Sequence, residues 1–246
     1  MVTPTGYILC ATPRTGSTFL CSLLASTGVL GRPESYFREP DEVTWAASFG
    51  LPTVGRRVQD YQSFVQAVRC AATTENGVFG ARVMWGTVER IVQGLDAPAH
   101  QSDLATLQAV FGPLVFVHLQ REDSLRQAVS WARAEQTGYW QEGDVVQRSP
   151  EPDVGQLVGL AQSIREHNTA WRTWFADNGI EPLDVTYEGL VGHPHRTLTS
   201  IADLLGIVPP LDWRPGTPPR KQADRVNEEW HAPLRSAENR EHGEVW

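Results

Sequence analysis

The feature that most constrains the fold is a continuous apolar run that ends in a tight turn and leads directly into a helix. The run Tyr7 to Ala11 (YILCA) has the length and composition of a fully buried strand. The turn TPRTG follows at residues 12–16, and apolar residues then recur at helical spacing from about Ser17 until Gly28. Strand, glycine turn and helix in this order form half of a βαβ unit, which predicts a parallel sheet.

The same alternation of strand and helix patterns continues along the chain. Strands are predicted at residues 78–85, 114–119 and 183–187, and helices at about 123–137, 154–178 and 195–205. This order predicts an α/β fold with a mostly parallel central sheet and helices on both faces. We interpret residues 1–246 as one domain, with an irregular excursion at about 32–60 and a C-terminal tail at about 209–246.

Charge and composition exclude several classes of function. The net charge of −8 argues against nucleic acid as a partner, because duplex binding rests on a broad basic surface. The three cysteines fit no zinc or redox spacing and the histidines form no ligand pattern, so no metal is expected. No apolar run approaches the ~20 residues of a membrane span. No signal peptide is predicted, so we expect a cytoplasmic protein.

The turn PRTGST at residues 13–18, here called the phosphate loop, carries the strongest functional signal. A helix N-terminus behind a glycine turn presents unpaired backbone N–H groups and the positive end of the helix dipole. Glycine lets the backbone approach an anion, the hydroxyls add donors, and the arginine adds a permanent charge. We predict that a phosphate or phosphosulfate binds here, through Arg14, Thr15, Gly16, Ser17 and Thr18.

Two alternatives to this interpretation concern the loop itself. The turn is also compatible with an ordinary strand-to-helix connection that has a good N-cap. A nucleoside triphosphate P-loop would need a lysine after its last glycine, but Lys221 is the single lysine of the chain and lies far away. No acidic residue follows a strand in the manner of a magnesium-binding aspartate. A kinase is therefore disfavoured, although a divergent small-molecule kinase and a non-catalytic nucleotide-binding module stay open.

A second anion site is predicted where the strand at 114–119 ends. Arg121 follows that strand and Ser130 lies two turns into the next helix, so both can flank one phosphate. Further segments strengthen this pairing when they are taken together with the phosphate loop. They are GVLGRP at 28–33, VMW at 83–85, QAVS at 127–130, QT at 136–137 with Trp140, QAD at 222–224 and EW at 229–230.

These segments, spread in order from about residue 7 to 235, resemble the bacterial trehalose 2-sulfotransferase family. The resemblance implies the nucleotide-kinase-like sulfotransferase fold, a homodimer, and transfer of a sulfuryl group from 3'-phosphoadenosine 5'-phosphosulfate (PAPS) to a hydroxyl of a sugar or small metabolite. It implies that the phosphate loop holds the 5'-phosphosulfate, and that Arg121 and Ser130 hold the 3'-phosphate. Tyr187 is expected near the adenine, and Arg220 with Lys221 is expected to close the site.

The general base is where the sequence departs from the family. The family's proposed base is a glutamate directly before paired aromatics, and that position is Ser35 here. A serine is no base unaided, so we predict that Glu34 takes this role, with Glu39 as the next candidate. Arg14 is expected to stabilise the charge that develops on the leaving phosphate. An acceptor pocket is predicted from Ser35 and from four aromatic side chains: Tyr36, Trp45, Trp85 and Trp140.

Overall fold

A computed structural model of the protein describes residues 4–98, 100–140, 143–210, 212–214 and 230. The elements in chain order are β1 (Gly6–Ala11), α1 (Ser17–Ser26), α2 (Asp41–Ser48), β2 (Thr53–Val54), β3 (Arg57–Val58), α3 (Tyr61–Ala72), β4 (Phe79–Met84), α4 (Thr87–Gly94), α5 (Asp103–Phe111), β5 (Leu114–Gln120), α6 (Ser124–Thr137), α7 (Val154–Asp177), β6 (Leu183–Thr186), α8 (Tyr187–Gly192) and α9 (Pro194–Leu205).

The central sheet has four parallel strands in the order β4-β1-β5-β6. Its middle strand β1 is buried at all six positions, which explains the uninterrupted apolar run. The register sets Ala11 beside Met84 on one side and Leu119 on the other, so the strands end at a common edge. The loops that follow β1, β4, β5 and β6 therefore meet at that edge.

Each face of the sheet has its own apolar core, so the predicted two-sided α/β fold is confirmed. Ile8 and Cys10 of β1 pack with α3, α4, α5 and α7 on one face. Tyr7 and Leu9 alternate with them and pack with α1 and α9 on the other face. A third, smaller core joins α6 to α7 and includes Trp230.

The predicted strands and helices are confirmed to within one or two residues at their ends. The excursion after α1 is more regular than expected, since it contains α2 and the antiparallel pair β2–β3. The helices α3, α4, α5 and α8 were not predicted. Three of them begin with a side-chain cap, because Asp60 accepts from Ser63 N, Ser102 accepts from Ala105 N and Thr186 accepts from Gly189 N. None of the helices in the described part of the chain combines the length and apolarity needed to cross a bilayer.

Candidate active site

The phosphate loop leaves β1 through two residues in left-handed backbone conformation. Arg14 has φ +67° and Gly16, the N-cap of α1, has φ +82°. The Thr15 hydroxyl is buried and donates to the Thr12 carbonyl at 3.0 Å, so this side chain stabilises the turn itself. The first α1 hydrogen bond runs from Leu20 N to Gly16 O at 3.1 Å. The N–H groups before it lack helical partners, as an anion site requires.

Gln127 fixes the phosphate loop from the side of α6. Its amide nitrogen donates to Thr12 Oγ1 at 2.8 Å and to the Pro13 carbonyl at 2.7 Å, and the side chain is fully buried. The loop is therefore attached to β5–α6, the unit that carries the second predicted anion site. Gln127 belongs to the segment QAVS at 127–130, which contributes to the family resemblance, but no role was predicted for its side chain.

Arg14 joins the two predicted anion sites. Its Nε donates to Ser130 Oγ at 3.0 Å, and its Nη1 donates to the Trp140 carbonyl. Burial lowers the pKa of Arg14, and the neighbouring charges of Arg121 and Arg133 lower it further. The contributions of Arg121 and Arg133 reflect repulsion between like charges, which a bound anion would relieve. Arg133 was not predicted as part of the site.

Tyr187 lies between the phosphate loop and Arg121. A Cβ built at Gly16 would fall 2.6 Å from Cδ2 of the Tyr187 ring, and the Arg121 guanidinium carbon lies 4.7 Å from the ring centroid. The Arg121 Nε is buried, has no hydrogen-bond partner among the residues that the structure describes, and lies 3.9 Å from Glu188 Oε1. Burial lowers the pKa of Arg121. The structure thus brings Arg14, Gly16, Arg121 and Tyr187 into one site, although they come from three separate segments.

Arg82 links the phosphate loop to the excursion on the other side. Its Nε donates to Ser35 Oγ at 2.8 Å, and its Nη1 donates to Thr18 Oγ1 at 2.7 Å and to Ser17 Oγ at 3.4 Å. Arg82 pairs with Leu9 in the β4–β1 register, so its side chain lies on the α1 face of the sheet. Arg82 was not among the residues predicted for the site. The available signal was a single charged residue inside the apolar strand VFGARVMW.

The two candidate bases have different surroundings. Glu34 is an exposed residue, yet partial burial of its carboxyl raises the pKa of that group, and the Arg82 charge offsets some of this shift. Its carbonyl accepts from Arg82 N at 3.1 Å, which keeps the residue beside β4. Glu39 instead lies 2.7 Å from Arg90 Nη1 in an ion pair. Of the two candidates, Glu34 is therefore the one held next to Arg82, which contacts Ser17 and Thr18 of the phosphate loop.

The four candidate acceptor aromatics divide into two kinds. Tyr36 is buried, donates its hydroxyl to the Arg32 carbonyl at 2.8 Å and packs 4.8 Å from the ring of the partly buried Trp45. These two rings belong to the core under the excursion. Trp85 and Trp140 are 36% and 38% exposed and present free ring surface. Only the latter two have the exposure that a stacking wall for an acceptor needs.

The described residues do not include every residue that was predicted for the site. Arg220 and Lys221 lie outside the described residues. Within the described ranges, no three side chains of the His, Cys, Asp or Glu type lie close enough together to hold a metal ion.

The chain is similar to proteins of a known family. The family model described as Stf0 sulphotransferase matches residues 6–237. Two relatives named trehalose 2-sulfotransferase are each 29% identical to the chain. The one from Mycobacterium tuberculosis (strain ATCC 35801 / TMC 107 / Erdman) aligns over 91% of this chain and 92% of its own, and the one from Mycolicibacterium smegmatis (strain ATCC 700084 / mc(2)155) over 92% and 93%.

A solved structure supports the fold. The sulfotransferase domain from the curacin biosynthetic pathway superimposes with a TM-score of 0.52 at 15% identity, covering 92% of this chain and 83% of that chain.

Proposed function

The chain belongs to the Stf0 sulphotransferase family, and from this membership we infer that it transfers a sulfuryl group from PAPS to a hydroxyl group of a small acceptor. The enzyme is a sulfotransferase, and its relatives' names make a sugar hydroxyl the preferred acceptor class. The donor is the first part of this proposal, and the acceptor is the second.

The observation that carries the donor is the group of arginines around the phosphate loop. PAPS has two anionic ends, the 5'-phosphosulfate and the 3'-phosphate. We assign Arg14 and the α1 N-terminus to the first end, and Arg121 together with Ser130, whose hydroxyl accepts from Arg14 Nε, to the second. The buried Arg121 Nε, which has no hydrogen-bond partner in the described chain, suits a phosphate oxygen. Tyr187 lies between these groups and supplies an aromatic face for the adenosine.

The acceptor hydroxyl approaches the sulfur from the side of Glu34. A bond forms between the acceptor oxygen and sulfur while the bond from sulfur to the bridging 5'-phosphate oxygen breaks. The hydroxyl proton passes to the Glu34 carboxylate, and the bond's electron pair leaves with adenosine 3',5'-bisphosphate (PAP). In-line positioning and stabilisation of the developing negative charge supply most of the rate, as in phosphoryl transfer. Arg14 acts on the leaving phosphate.

Trehalose-like sugars are the first acceptors to test, with other small hydroxylated metabolites after them. The serine at position 35 changes the acceptor side relative to the family pattern that the sequence resembles. Ser35 is buried and bound to Arg82, so it contributes shape rather than basicity. Trp85 and Trp140 remain the aromatic surfaces on which a ring can stack.

A direct transfer assay tests the function. The protein is incubated with PAPS and, in separate reactions, trehalose, glucose and a panel of hydroxylated aromatics, and products are read by mass spectrometry. We expect a product one sulfuryl group heavier than its acceptor, undiminished by EDTA. PAP binding without turnover of any acceptor would favour the non-catalytic nucleotide-binding module. Phosphorylation of an acceptor from MgATP would favour the divergent kinase.

Three further expectations belong to the same proposal. We expect a homodimer, a cytoplasmic location, and closure of the nucleotide site by Arg220 and Lys221. Light scattering measures the first, cell fractionation the second, and PAP affinity of Lys221→Ala the third.

A further inference from the structure

Arg82 occupies the junction between the donor side and the acceptor side of the site. Its guanidinium donates to Ser17 and Thr18 in the first turn of α1 and to Ser35 in the excursion. All three partners are neutral hydroxyls. Arg82 is thus the side chain that touches both the predicted phosphosulfate loop and the position where the family-like pattern has its base.

Within the described part of the chain, no direct ion pair neutralises the charge of Arg82. No carboxylate of the described residues lies within salt-bridge distance of it, and Glu34 acts on it only as a nearby charge. Arg90, on the following helix, shows the contrast, since Glu39 and Glu42 each lie 2.7 Å from its guanidinium nitrogens. An arginine held by hydroxyls keeps its charge for an anionic ligand, whereas one held by two carboxylates does not.

The geometry leaves donors of Arg82 for such a ligand. Its Nε and Nη1 have the hydroxyl partners named above, while Nη2 has no hydrogen-bond partner in the part of the chain that the structure describes. The fork is oriented because the Ser35 and Thr18 contacts, at 2.8 and 2.7 Å, fix two of its nitrogens. A carboxylate at position 35 would form an ion pair with this guanidinium and offset its positive charge. The neutral hydroxyl of Ser35 only orients the guanidinium.

We propose that Arg82 is a catalytic residue that binds the sulfuryl group during its transfer, and that Ser35 positions it. This inference rests on the proposed function. Negative charge redistributes over the sulfuryl oxygens and the bridging oxygen as the acceptor oxygen bonds to sulfur and PAP departs. A preorganised guanidinium beside the loop stabilises that charge without having to reorient. Arg82 forms no covalent bond and loses no proton, because Glu34 receives the acceptor proton.

The test exploits the difference between PAPS and PAP, which lacks the sulfuryl group. Arg82→Gln should weaken PAPS binding roughly tenfold or more by calorimetry without acceptor, while PAP affinity changes by less than about threefold. The same variant should lower kcat by ~10²–10³-fold on the best acceptor. Arg82→Lys should recover part of the PAPS affinity, since it keeps the charge but not the fork. Arg69→Gln, an exposed arginine on α3, is the control and should match the unsubstituted protein.

Two outcomes would overturn the inference. Equal losses of PAP and PAPS affinity in Arg82→Gln would make Arg82 a structural residue of the loop. Undiminished turnover would show that it does not contact the reacting group. If Arg82→Gln does not fold, Ser35→Ala serves instead. Ser35→Ala should weaken PAPS binding a few-fold and leave the affinity for PAP unchanged. If its affinities for PAPS and for PAP both equalled those of the unsubstituted protein, the proposal would be rejected. Absence of PAPS binding and turnover in the unsubstituted protein would instead refute the proposed function.

Discussion

The Tyr187 ring lies against Gly16, where a built Cβ would fall 2.6 Å from Cδ2 and 3.0 Å from Cε2 of the ring. Gly16 also has φ +82°, a conformation that side chains other than glycine rarely adopt. Two separate constraints therefore favour glycine at this position: its backbone conformation and the adjacent Tyr187 ring. The same contact holds the aromatic ring of the proposed adenosine site at the start of the proposed phosphosulfate site.

Replacing Gly16 should disrupt the contact between the proposed phosphosulfate site and the proposed adenosine site. We expect Gly16→Ala to weaken PAP binding by more than tenfold, because backbone strain of about 1–2 kcal/mol adds to displacement of the Tyr187 ring. Gly28→Ala is the matched control, since Gly28 has φ +71° with nothing within 4 Å of a built Cβ. It should cost stability but leave PAP affinity unchanged. Similar PAP affinities for the two variants would show that the Tyr187 contact is unimportant.

The nucleotide preference follows from the charges at the site. The protein should bind PAP more tightly than ATP, and without magnesium, because Arg14 and Arg121 can serve two separate anions and the phosphate loop itself contains no lysine. Calorimetry with both nucleotides, with and without MgCl₂, measures this. Tighter binding of ATP that depends on magnesium contradicts the prediction and returns attention to a kinase.

Arg121 should bind the 3'-phosphate of PAPS. Arg121→Ala should cost ~1.5–3 kcal/mol of PAPS binding free energy, the value of one charge-assisted hydrogen bond. The loss should be much smaller for adenosine 5'-phosphosulfate, which has no 3'-phosphate. Arg126→Ala is the control, since Arg126 is exposed on α6 and paired with Asp123. Equal losses with both donors would mean that Arg121 supports Tyr187 and does not contact the phosphate.

Glu34 should control the acid side of the pH–rate profile. A base acts only when it is deprotonated, and burial raises the pKa of Glu34, so kcat/KM should rise with pH through a value above that of an ordinary glutamate. Glu34→Gln should lower kcat by ~10²–10⁴-fold, remove this rise and leave PAP affinity nearly intact. The control is Glu39→Gln, which breaks only the ion pair with Arg90. Near-normal turnover by Glu34→Gln would show that Glu34 is not the general base, and Glu39 would become the candidate to test.

His118 should make stability depend on pH. The side chain is fully buried on β5, and burial lowers the pKa of His118 from 6.5 to about 4, although Asp184 at 3.3 Å opposes the shift. The unfolded chain then binds the proton more readily than the folded one, so stability is lost as pH falls from about 6.5 towards 4. Such a shift corresponds to about 3 kcal/mol. Urea unfolding across this range measures it, and His118→Gln should flatten the slope. An unchanged slope in that variant would assign the acid sensitivity to other groups.

The parts of the fold and site that the sequence predicted are local ones. The strand β1, its turn and α1 are contiguous, and their apolar spacing and glycine reflect backbone geometry that acts over a few residues. The same holds for Arg121 at the end of a strong strand. The helices α3 and α4 were missed because their apolar faces are short and become recognisable only when packed on the sheet. The family resemblance extended these local signals to nearly the whole chain.

Tertiary structure alone decided which distant residues share the site. Arg82 is 65 residues from Ser17 and 47 from Ser35, and it meets both because the β4–β1 register sets it opposite Leu9 on the α1 face. Gln127 holds Pro13 of the phosphate loop across 114 residues in the same way. The sequence by itself determined the local turn from β1 into α1, since its glycine and the apolar spacing on both sides lie in one short segment. Contacts such as Arg82 with Ser35 depend on the pairing of β4 with β1, two strands that lie far apart in the sequence.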